Sequence, residues 1–193
     1  MNKARIEAFT DAILAILVTI MVLEFHVPKT ADWQSLVKEN GVYFIAYVIA
    51  FADVSVSWYN HHYLLALAER INKAVYWSNM LWMFTLSLIP FAVAFISEHP
   101  ANSTPAIFYL AVNIAWALSY LNLSQQIARA NNSDIAKKIQ LMPIYSYLHS
   151  SWLAVYPLAF VILFFWPPIV IVMGAIEIII AAFKSNNPEI DFK

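Results

Sequence analysis

From Ala74 to Ser97, and again from Thr104 to Ala128, the chain runs without a single charged residue. A helix of about 20 such residues is about 30 Å long, the thickness of a bilayer's hydrocarbon, and it must be either wrapped in protein or dissolved in lipid. Wrapping is out of reach, because 193 residues that are 62% hydrophobic and only 12% charged cannot clothe several such helices in polar surface. Lipid is therefore the solvent. Backbone groups in lipid have to be satisfied within a helix or a closed barrel, and unbroken apolar runs lack a barrel's alternation. The expected fold class is all-α: an integral membrane bundle in one domain, residues 1–193, with no room for a soluble catalytic unit.

Six transmembrane helices are expected. The first runs from Ile6 to Phe25 and stops before Pro28. A polar link, Lys29 to Asn40, leads to a second from Gly41 to Tyr63, and Glu69, Arg70, Asn72 and Lys73 mark a turn at a membrane surface. The third covers Ala74 to Ser97 with a kink at Pro90. Thr104 followed by Pro105 reads as an N-cap and first helical residue, opening a fourth to Ala128. Arg129 to Gln140 is a basic connector. The apolar stretch from Leu141 to Phe183 is too long for one crossing, and Pro167 and Pro168 divide it into a fifth helix and a short sixth.

Six crossings put both termini on one side, together with Lys3, Arg5, Arg70, Lys73, Arg129, Lys137, Lys138, Lys184 and Lys193; the other side holds only Lys29 and Lys38. By the positive-inside rule both termini of this multi-pass chain face the cytoplasm. Trp33, Trp77, Trp166 and Tyr109 fall near the proposed boundaries, where interfacial anchors belong.

Several function classes drop out. There is no cysteine, so thiolate metal sites and cysteine nucleophiles are excluded. Only two glycines occur, Gly41 and Gly174, which leaves no GxxxG face, no phosphate-cradling loop and no glycine-containing carbonyl filter. A net charge of -1 gives no bulk field for nucleic acid, and none is expected as a partner. No nucleophile with a positioned base and no zinc-type histidine spacing appears, so an enzyme, a cofactor and a metal site are not expected.

What remains is a small set of ionisable residues in or near the spans, each expensive in lipid. Lys3 and Glu7 are spaced to pair along the first helix. Arg5 and Asp11 diverge by about 240° and need partners on other helices, with Asn60, His61 and His62 at the same end as candidates. His61 and His62 diverge by about 100° and do not chelate one ion together. Asp53 is equally readable as a proton or cation site and as a structural carboxyl bonded by neighbours such as Ser55 and Ser57. Glu177 reads as a buried structural group, and Glu24 as a solvated helix end or part of an acidic vestibule.

The string Arg5, Ile6, Glu7, Ala8, Phe9, Thr10, Asp11 resembles the R-x-x-x-F-S-D signature that opens the first helix in the transmembrane protein 175 family of potassium channels. Thr10 stands where the family usually has serine and keeps the hydroxyl. The resemblance implies a passive, potassium-selective cation channel of a prokaryotic inner membrane, a homotetramer whose pore is lined by the first helix of each subunit. By ungapped carry-over it implies a hydrophobic constriction at Ile16, with Thr19, Ile20 and Leu23 as further pore positions. Arg5, Phe9, Thr10 and Asp11 would tie the first helix to its neighbours. Ile16, Ile20 and Leu23 share one helical face with Thr19 at its edge, while Leu14 reads as a lipid-facing neighbour. A proton-coupled secondary transporter relaying through Asp53, the histidines and Glu177 is the alternative.

Overall fold

The computed structural model of the chain describes residues 2–149 and 155–184. Among the described residues the regular structure is entirely helical. The first helix, α1, spans Lys3–Leu23 and so begins before Ile6. The ammonium of Lys3 donates to the carbonyls of Ala66 (3.2 Å) and Ala68 (3.1 Å) where the next helix ends, in place of the expected pairing with Glu7. Those carbonyls are the orphan acceptors of a helix C-terminus, and a cation answers both their hydrogen bonding and their dipole.

The second helix, α2, covers Trp33–Leu67 and starts eight positions earlier than Gly41. The cause is Asp32, whose carboxylate caps the helix by accepting from the Ser35 N–H at 2.8 Å. Inside the same segment Asn40 holds the α1–α2 turn, accepting from the His26 N–H (2.8 Å) and donating to its carbonyl (2.9 Å). The third crossing comprises α3, Lys73–Leu86, and α4, Ile89–Glu98. Pro90 has no N–H to give to Leu86, so the ladder breaks at Ser87 and Leu88, where a kink is expected.

The fourth crossing, α5, spans Ser103–Ala130, with Asn102 rather than Thr104 at its cap position. The connector that follows is itself helical: α6, Ser133–Leu141, is capped by Asn132, which accepts from the Ile135 N–H at 2.9 Å. Then come α7, Pro143–His149, α8, Val155–Ile162, and α9, Ile169–Lys184. Residues 150–154 of the expected fifth crossing, and Lys193, lie outside the described residues. Pro167 and Pro168 separate α8 from α9, their carbonyls accepting from Val170 and Ile171 at 3.4 and 3.1 Å. Four segments, Lys3–Leu23, Trp33–Leu67, Lys73–Glu98 and Ser103–Ala130, are long and apolar enough to cross a bilayer, and Ile169–Ile180 is a shorter apolar helix.

Lipid tails are as apolar as leucine, so these helices are held by close packing and interhelical hydrogen bonds rather than by expulsion from water. Between α3 and α5 the bonds are Asn122 to Ser78 (3.0 Å) and Thr85 with Ser119 (2.9 Å). Trp33, Trp77 and Trp166 are exposed, but Tyr109 is buried and does not anchor an interface. Its hydroxyl lies 3.2 Å from where a Cβ at Gly174 would stand, so the missing side chain lets α9 approach α5. Asn131 at the end of α5 accepts from the Glu69 and Arg70 N–H groups (2.9 and 2.8 Å), closing the same end of the bundle that Lys3 closes. Lys3, Arg70, Lys73 and Arg129 are thereby gathered at one end.

Candidate functional site

One face of α1 is committed to the protein: Ile6, Thr10, Leu14, Leu17 and Met21 are all buried, at helical spacing. Leu14, only 3% exposed, is core and not lipid-facing. The four expected pore positions lie on the opposite side. Ile16 is 56% exposed, Ile20 41% and Leu23 80%, and Thr19 is exposed with them. The Thr19 hydroxyl donates to the Ile16 carbonyl at 2.8 Å, so its proton is spent within the helix and its oxygen lone pairs face outward. A groove of about 550 Å³ flanks this face, lined by Ile16 and Ile20, by Pro90 and Phe91 of the α3–α4 break, and by Glu24 and Glu98 at its other end.

A polar chain fixes how α1 sits. Thr10, fully buried, donates to the Ile6 carbonyl (2.9 Å) and accepts from Asn79 Nδ2 of α3 (3.0 Å). Asn79 Oδ1 in turn lies 2.7 Å from Nε2 of His61 on α2. With the amide nitrogen committed to Thr10, its oxygen accepts from His61, which places the imidazole proton on Nε2. The imidazole lies flat on Trp82, ring centroids 4.5 Å apart and planes within 2°. Three helices thus meet through one hydroxyl, one amide and one imidazole.

Asp11 takes a different partner from those expected: its carboxylate accepts from the indole Nε1 of Trp58 at 2.9 Å. His62 reaches Asp11 only indirectly, its ring lying 5.9 Å from that of Trp58. Asn60 donates to Val56 (2.8 Å), and its carbonyl accepts from the Tyr120 hydroxyl (3.1 Å), so it holds α5 rather than α1. Of the four signature residues, then, Thr10 and Asp11 join α1 to other helices. Phe9 is 53% exposed, and Arg5 is exposed and forms no ion pair among the described residues. Sequence reasoning does not single out Trp58, Asn79 or Trp82. Asn79 carried a usable signal, being a lone amide inside an uncharged apolar segment.

The other intramembrane carboxylates stand apart from this chain. Asp53 on α2 and Glu177 on α9 lie within electrostatic reach of each other and of Tyr109. Tyr156 lies within electrostatic reach of the same pair. Ser55 and Ser57 do not serve the Asp53 carboxyl: they bond the carbonyls of Phe51 (2.8 Å) and Asp53 itself (2.6 Å). Among the described residues no group of three His, Cys, Asp or Glu could hold a metal ion.

A membrane helix held by a buried hydroxyl–amide–imidazole chain, with an apolar face left open opposite, is the subunit of a helical membrane protein whose open face can meet lipid or another copy. Residues 5–90 match the family model for the endosomal/lysosomal potassium channel TMEM175. The chain is 37% identical over 134 residues to a potassium channel of Chryseobacterium sp. (strain P1-3), covering 69% of each chain. It is 32% identical over 103 residues to the endosomal/lysosomal proton channel TMEM175 of Rattus norvegicus, 48% of this chain and 21% of that one. A crystal structure of a lysosomal potassium-selective channel TMEM175 homologue from Chamaesiphon minutus superposes with a TM-score of 0.74 at 27% identity, covering 96% of this chain and 98% of that one. The chain belongs to the TMEM175 family of potassium channels, and its family is one of ion channels rather than enzymes.

Proposed function

We propose that the protein conducts potassium passively across the cell membrane through a pore built from the open face of α1, repeated around a symmetry axis in a homotetramer. In this reading each subunit contributes six crossings, with both termini cytoplasmic. The observation that carries it is the division of α1 into a buried face and an exposed one, with Ile16, Thr19, Ile20 and Leu23 all on the exposed side. Ile16 forms the constriction: branched aliphatic side chains converging on an axis exclude water when closed, and selectivity follows from how each cation tolerates partial dehydration there. Thr19 offers oxygen lone pairs beside it. The groove flanking α1 provides room for a neighbouring copy, and the acidic ends at Glu24 and Glu98 concentrate cations.

The test is planar-bilayer recording of the purified protein with potassium, sodium and caesium on opposite sides. A reversal potential set by potassium, with no requirement for a proton gradient, is the expected result. Flux that depends on a proton gradient would instead favour the coupled transporter.

A further inference from the structure

Below the last turn of α5, at the end of the bundle where the basic residues collect, lies a second cavity of about 240 Å³ between α5, α6 and α7. Its wall carries Gln125 and Arg129 from α5, Gln140 from α6 and Tyr145 from α7, over a floor that includes Ala128 and Ile139. Arg129 is exposed, and although Glu69 and Asp134 stand on neighbouring turns, it forms no ion pair among the described residues. Helix α6 is amphipathic in a way that fits a membrane surface. Ile135 and Ile139 are buried against the bundle, Lys137 and Lys138 are exposed, and Leu141 is 78% exposed at its end. At 100° per residue Lys137 stands about 60° around the helix from Gln140, so it flanks the same opening. The cavity therefore combines a guanidinium with a free charge, two carboxamides, a tyrosine and an apolar floor, beside a leucine left bare for lipid.

We propose that this cavity binds the phosphodiester headgroup of an anionic phospholipid, with Arg129 as the bidentate contact, Gln125 and Gln140 as neutral donors, Lys137 at the rim and an acyl chain lying past Leu141. A guanidinium fork matches two phosphate oxygens, and amide donors add bonds without adding charge. The commitment to a lipid rather than a soluble anion rests on Leu141 and the apolar floor, which a free phosphate would leave unused. The site is separate from the face of α1 and does not depend on how that face conducts.

Native mass spectrometry of the purified protein, equilibrated with equimolar phosphatidylglycerol and phosphatidylcholine, tests it. Wild type retains phosphatidylglycerol in preference, by about five-fold for each basic side chain engaged. Arg129→Gln loses about five-fold of that preference and Arg129→Lys keeps the larger part of it. Lys137→Gln reports the same face from a different helix and lowers it as well, while Lys29→Gln at the opposite end leaves it unchanged. Equal retention of both lipids by wild type, or an Arg129→Gln and a Lys137→Gln protein that match it, would overturn the proposal. So would loss of the preference in millimolar inorganic phosphate, which would mark a soluble-anion site.

Discussion

Thr10 has no water to turn to, and its hydroxyl is answered twice, by the Ile6 carbonyl and by Asn79. Asn79 is the middle of that chain, so replacing it with leucine strands the buried imidazole of His61, while the Thr10 hydroxyl keeps its bond to the Ile6 carbonyl. A stranded buried donor costs about 1–3 kcal/mol, and Asn79→Leu is expected to lower the thermal unfolding midpoint in detergent far more than Thr10→Ser, which keeps the same two bonds. Equal midpoints for the two variants would mean that the chain of bonds carries no stability. The sequence made the importance of position 10 legible, because the signature places a hydroxyl there. It could not supply the partner: Asn79 is 69 positions away, and only the packing of α3 against α1 brings them together. Asp11 teaches the same lesson in reverse. A carboxylate near three polar candidates was expected to choose among Asn60, His61 and His62, yet it bonds Trp58, one turn before His62 on α2. Adjacent residues on a helix point about 100° apart, so nearness in sequence says little about which side chain faces α1.

At the scale of elements, α1 reads as two opposed faces, and substitutions on them should fail in different ways. Leu17→Ala removes a side chain that is 5% exposed and is expected to cost about 2–5 kcal/mol, whereas Ile16→Ala, on the open face, should leave the unfolding midpoint nearly unchanged and alter current instead. Detergent melting curves paired with bilayer recordings separate the two, and a large loss of stability from Ile16→Ala would place it in the subunit core. The periodicity of α1 was visible in sequence, but an all-apolar helix does not say which stripe is core. Leu14, which the sequence places toward lipid for that reason, is buried. The start of α2 was legible only in outline, since Asp32 is an ordinary aspartate until its capping bond is seen. Hydrogen bonds from Thr30, then from the Ser35 backbone, hold its carboxyl below the usual range. A carboxyl depressed in the folded state stabilises above its unfolded pKa, and that stability is lost as pH falls through the folded value. Fraying at the start of α2, followed by amide hydrogen exchange, should therefore grow below about pH 4 in wild type and be independent of pH there in Asp32→Asn, which keeps the cap but not the charge. A pH-independent wild type would remove Asp32 from that role.

The whole molecule is organised by which residues can tolerate lipid. Charge was legible in part: Lys3, Arg70, Lys73 and Arg129, four of the basic residues that the sequence assigns to one side, are gathered at one end by Lys3 on Ala66 and Ala68, and by Asn131 on Glu69 and Arg70. Reporters fused to each terminus should both be active only on the cytoplasmic side, and a terminus found outside would contradict the six-crossing topology. A face open on one subunit becomes a pore only when copies surround an axis. The native sequence has no cysteine, so one thiol can be placed on that face without background. The most direct measurement is the bilayer potassium current of Ile16→Cys before and after a small, water-soluble thiol reagent, with Met21→Cys, fully buried on the opposite face, as its control. A pore along the open face of α1 requires the reagent to change conductance through the Ile16 variant and to leave the Met21 variant alone. An unmodified current at position 16 with a response at position 21 would contradict it.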